Sequence, residues 1–163
     1  MIDIPEVPVI ILQYFAGVTF LIACHEGGHA LLLRYYRILI KGIGLGLCLL
    51  GLSYRFIREP GQGRFYFKGW PHVDADEPEP GMALLMIAAA GPMGSFLCGL
   101  TTCYLFGVTR FMDPAYILHH PFQLACAIGV VTWASNLIDA DVGGGPTDGR
   151  FIYRSIRALR NRR

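Results

Sequence analysis

Charge is the scarcest property of this chain. Only 16% of its 163 residues are Asp, Glu, Lys or Arg, against 53% hydrophobic, whereas soluble domains carry about a quarter charged. No charge falls between Val7 and Cys24, and none between Gly81 and Thr109. Those stretches favour a membrane over water as their surroundings. The five cysteines, Cys24, Cys48, Cys98, Cys103 and Cys126, form no CxxC pair. An odd number without metal spacing excludes a disulfide framework and argues for reduced, buried thiols. Cys24 adjoins a histidine, but helix neighbours diverge by about 100°, which argues against it as a ligand there. The net charge of +2 is small, and the chain shows no aromatic-basic module for nucleic acid. The N-terminus carries Asp3 and Glu6 in place of a positive n-region, so the first apolar segment is expected to remain in the mature protein. The length suits one domain.

Three apolar segments are present. The first spans about 9–33, with Glu26 its only formal charge, and exceeds the ~20 apolar residues that cross a hydrocarbon core. Arg34, Tyr35, Tyr36 and Arg37 give it a basic, aromatic end suited to the interface. The second, 83–109, contains the small residues of Ala88–Ser95, which favour close helix approach, and Pro92, which should kink the helix. The third, 121–138, contains Trp133 and is about 18 residues, or roughly 27 Å of helix. After the first segment, Gly42, Gly44 and Gly46 alternate with Ile43, Leu45 and Leu47, and Glu59–Gly63 is turn chemistry. Strands within 42–68 are therefore expected, forming a hairpin or small sheet at the membrane surface. The polar stretch from Trp70 to Gly81 reads as a linker in which His72 is a surface residue, and His119 and His120 read as interfacial. Asp139 to Arg150 is rich in Gly and Pro. At membrane depth such backbone occurs only where protein or water surrounds it. A basic helix is expected over 150–163, with Arg154, Arg157 and Arg160 suited to membrane anchoring.

The expected fold is an all-α polytopic membrane protein. It has three core transmembrane helices, a small membrane-associated β-hairpin or sheet after the first, and a re-entrant Gly/Pro segment after the third. With three spans, residues 34–80 and 149–163 share one side and hold thirteen of the fourteen Lys and Arg, leaving only Arg110 opposite. The positive-inside rule puts that side in the cytoplasm and the N-terminus outside.

Within the first segment stands His25-Glu26-Gly27-Gly28-His29, an HExxH sequence. Residues four apart share a helix face, so both imidazoles can point at one ion, and Glu26 is placed to act as base on a metal-activated water. His29 lies about 7 Å of helix before Arg34 and His25 about 13 Å, so the site belongs in the bilayer toward the cytoplasmic face. Ionisable groups at such depth are costly and mark function. Catalytic zinc takes three protein ligands and leaves one position open. Asp139, Asp141 and Asp148 are the acidic candidates for the third, and composition does not rank them.

His25-Glu-Gly-Gly-His29 on a first helix, Ala90-Gly91-Pro92 on a second, and Asn136-Leu137 followed by Asp148-Gly149 together resemble the site-2 protease family of intramembrane zinc metalloproteases. The resemblance covers most of the chain, in a compact form without PDZ or CBS domains. It implies one zinc per chain bound by His25, His29 and Asp148, with Glu26 as catalytic base. It also implies that the segment from Gly42 to Tyr54 corresponds to a membrane-associated sheet that presents substrate, where an extended edge could pair with an unwound segment. Two positions depart from the pattern: Ser95 stands where Asn is common, and Asp139 where Pro is usual.

The expected function is hydrolysis of peptide bonds within or near transmembrane segments. Asn136 is a candidate for holding substrate or an oxyanion, or for a hydrogen bond between helices. The expected partners are a transmembrane protein substrate and the lipid bilayer, without nucleic acid; a regulatory membrane partner or a homo-oligomer stays open. The alternative is a catalytically silent metal-binding scaffold or adaptor of the same fold. A metal transporter would need more polar residues along the spans.

Overall fold

Long uncharged runs with few helix breakers produce two long helices. In the computed structural model, α1 spans Val7–Tyr35 and α2 spans Met82–Phe106. Both are long and apolar enough to cross a membrane. Residues 7–43, 46–49, 52–58, 65–67, 73–75, 78–138, 141–142 and 145–161 are described. Much of the outer surface is apolar: Val9, Ile11, Leu12, Phe20 and Leu31 of α1 are exposed, as are Leu97, Leu100 and Leu105 of α2. Apolar patches of this extent are uncommon on water-soluble monomers.

The interior is built largely from small residues, because backbone-to-backbone approach leaves little room. Gly91, Pro92, Ser95 and Gly99 of α2 are buried, with Leu84, Ile87 and Ala88 on the same helix. α2 carries Pro92 inside it and stops at Gly107, whose φ of 81° is readily adopted only by glycine. It therefore ends three residues before the expected 109. A 3-10 turn, Val108–Met112, and the short helix α3, Pro114–His119, follow. The Asp113 side chain caps α3 by accepting from the Ala115 N–H at 2.9 Å.

The expected third span, 121–138, is shorter and interrupted. It consists of α4, Pro121–Ala127, and α5, Gly129–Ser135, joined at Ile128. The apolar helical stretch is thus Pro121–Ser135, or roughly 22 Å, which falls short of a full hydrocarbon core. Next to this junction α5 packs closely on α2: a Cβ on Gly129 would strike the backbone oxygen of Ser95. Two helices, not three, have spanning length among the described residues.

Between α1 and α2 the described backbone forms short antiparallel pairings. β1, Ile40–Ile43, pairs with β5, Val73–Ala75. β2, Gly46–Leu49, pairs with β3, Leu52–Arg58, which pairs in turn with β4, Phe65–Phe67. After α5, β6 (Asp141–Val142) pairs with β7 (Gly145–Pro146) and leads into α6, Asp148–Asn161. α6 starts two residues before the expected basic helix. α2 is central: it packs against α1, α4, α5 and α6.

Candidate metal centre

The four-residue spacing on α1 brings the His25 and His29 rings to a centroid separation of 4.9 Å, with planes 77° apart. Their Nε2 atoms are 3.2 Å apart. Asp148, the first residue of α6, reaches both: Oδ2 lies 3.1 Å from His25 Nε2 and Oδ1 3.3 Å from His29 Nε2. Three donors from two distant parts of the chain thus lie within 4.8 Å of one another and could hold a metal ion.

Asp148 is delivered by the turn after α5. The Gly149 N–H donates to the Asn136 carbonyl at 2.8 Å, and the Thr147 hydroxyl donates to the Ile138 carbonyl. Gly149 is buried so tightly that a Cβ would meet the carbonyl oxygens of Leu137 and Ile138. An acid in the first turn of α6 also complements the helix dipole. Burial alone raises the Asp148 pKa, but its contacts with His25 and His29 outweigh burial and hold the carboxyl down at about 2. It is a carboxylate at neutral pH.

The outer nitrogens of both rings are held by α2. His29 Nδ1 donates to the Ile87 carbonyl at 2.8 Å, and His25 Nδ1 lies 2.9 Å from Ser95 Oγ. A carbonyl can only accept, so in the neutral ring the His29 proton sits on Nδ1 and Nε2 offers a lone pair toward the centre. Between these supports, Gly91 provides the space: a Cβ there would collide with His29 Nε2 and crowd His25 Nε2. Gly28 lets the helices touch, since its Cβ would strike the Ala90 carbonyl.

The donor set suits a divalent metal ion. Two imidazoles and a carboxylate form a known catalytic combination, and four-coordinate bonds of about 2.0–2.1 Å place ligand atoms roughly 3.3 Å apart. The observed separations of 3.1, 3.2 and 3.3 Å match that spacing. Ring nitrogens facing away from the centre and held by protein oxygens are also what metal-ligating histidines show.

Glu26 is buried, 4% exposed, close enough to His29 for its charge to act on that ring. Of the other acidic candidates, Asp141 has its backbone in β6, paired with Pro146, and Asp139 lies outside the described residues. His72 also lies outside them. His119 and His120 are exposed at the end of α3. The Cys24 thiol interacts with Cys98, and Cys24, Cys98, Cys103 and Cys126 are all free thiols. The Asn136 backbone carbonyl accepts from the N–H of Gly149, the neighbour of Asp148.

Sequence reasoning missed Ser95, Ile87 and the steric role of Gly91. The signal was available in part: positions 87, 91 and 95 are four apart and therefore share one face of α2. Compared with family models, curated proteins and solved structures, the chain matches none.

Proposed function

We propose that the chain is an intramembrane zinc endopeptidase of the site-2 protease type, acting on transmembrane protein substrates. The observation that carries this reading is the convergence of both histidines of an HExxH helix with the distant Asp148, beside buried Glu26. His25, His29 and Asp148 would hold the ion. Bound there, zinc supplies Lewis-acid polarisation of the scissile carbonyl and lowers the pKa of water. Glu26 accepts a proton as the water oxygen attacks the carbonyl carbon; the C–N bond then breaks and Glu26 returns the proton to the leaving amine. Low dielectric strengthens each of these charge interactions. Asn136 remains a candidate for holding substrate near the turn that carries Asp148.

The charge bias supports an orientation with the N-terminus outside, the C-terminus in the cytoplasm and the centre toward the cytoplasmic face. Substrates are transmembrane segments with a helix-weakening region, because a peptide bond inside a helix is closed to attack. The strands between α1 and α2 are the proposed membrane-associated sheet, whose edge offers backbone pairing to an unwound segment.

The test is cleavage of a panel of single-span substrates by purified protein. Wild type should bind about one zinc and cleave, and Glu26→Gln should keep zinc while losing cleavage. Retained cleavage in Glu26→Gln sinks the mechanism. A wild type that binds zinc and cleaves nothing is the silent scaffold instead.

A further inference from the structure

Ser95 is one of the two positions at which this chain departs from the pattern it resembles, and it is also 3% exposed. Its Oγ lies 2.9 Å from His25 Nδ1. One and two turns back along the same face of α2, Gly91 opens the space that both rings occupy and the Ile87 carbonyl accepts from the His29 Nδ1–H. The face therefore backs the two imidazoles by different means. His29 is held by an oxygen that can only accept. His25 is held by a hydroxyl, which can accept or donate.

That difference matters for binding. If the Ser95 hydroxyl donated to Nδ1, the His25 proton would sit on Nε2, between His29 Nε2 and Asp148, and the nitrogen could not ligate. If Ser95 accepts from Nδ1–H, the Nε2 lone pair faces the other two donors. We propose that Ser95 is a positioning residue that accepts a hydrogen bond from His25 Nδ1–H and thereby sets the ring's metal-binding tautomer and orientation. This rests on the metal-site reading given above. The departure from Asn at this position thus keeps a polar side chain where the imidazole needs a partner.

Losing such an outer partner typically weakens metal affinity about 10- to 100-fold. The experiment is a Co(II) titration of the metal-free, detergent-solubilised full chain, competed with zinc, read by affinity and by the Co(II) d–d spectrum. Ser95→Ala should bind about 10- to 100-fold more weakly with a shifted spectrum. Ser95→Thr and Ser95→Val provide a pair of equal shape, should alanine fold poorly. Threonine keeps the hydroxyl and should bind at least about tenfold more tightly than valine, with metal-free melting temperatures alike. Equal affinities for threonine and valine, or an unchanged Ser95→Ala, overturn the role of Ser95 while leaving the metal centre standing. A wild type that binds no metal overturns both.

Discussion

Gly91→Ala tests the architecture of the centre with a single methyl group. A Cβ at position 91 would overlap the His29 ring and stand 2.7 Å from His25 Nε2. Ordinary Cβ contacts lie at 3.4–4 Å, so at least one imidazole must turn away, and His29 can do so only by giving up its 2.8 Å bond to the Ile87 carbonyl. Overpacking of this kind costs about 1–3 kcal/mol. At about 1.4 kcal/mol per decade, that strain on the ligand set weakens zinc binding roughly 5- to 150-fold. Competition with a chelator of known affinity, on purified metal-free protein, measures the change. Gly27→Ala is the matched control: it lies in the same motif, and its Cβ would meet nothing within 4 Å. That variant should bind zinc normally and gain about 0.8–1.0 kcal/mol of helix propensity. If Gly91→Ala binds zinc as tightly as wild type, the placement of the imidazoles against α2 is wrong.

The remaining predictions concern how the third donor arrives and what the ion contributes. Asp148→Ala should lower zinc content well below Asp141→Ala or Asp139→Ala, measured by elemental analysis; the opposite order would reassign the ligand. Gly149→Ala should act almost like Asp148→Ala, because its Cβ meets the Leu137 and Ile138 carbonyls and pushes the start of α6 away. Zinc titration would expose an unaffected Gly149→Ala as a counterexample. Chelation should lower the melting temperature of wild type, since free zinc at 100 times its Kd stabilises by about 2.7 kcal/mol. Asp148→Ala should lose that response, and an equal shift in both proteins would place the stabilising ion elsewhere.

Long apolar runs made α1 and α2 readable, because hydropathy over more than about 20 residues is a strong local signal. The third run is also apolar, but its helical stretch ends at Ser135, short of the expected 138. At Gly129 it packs so closely on α2 that a Cβ would strike the Ser95 backbone oxygen, and a contact between segments leaves no mark in the hydropathy of either. Likewise Ile87 supports His29 through a backbone oxygen, which every residue carries, so no residue type announced it.

The order of residues by itself determined that His25 and His29 face the same way, since four residues make about one helical turn. It also determined that they lie in apolar surroundings and that the acidic candidates for a third donor were few. Only the tertiary structure showed that one of those candidates, Asp148, meets both histidines. The chain between α5 and α6 is held by the Asn136–Gly149 hydrogen bond and the close packing of Gly149, and this geometry brings Asp148 to both imidazoles. The same holds for Ser95. Read along the chain, it was a departure from a pattern; packed against α1, its hydroxyl is the partner of His25.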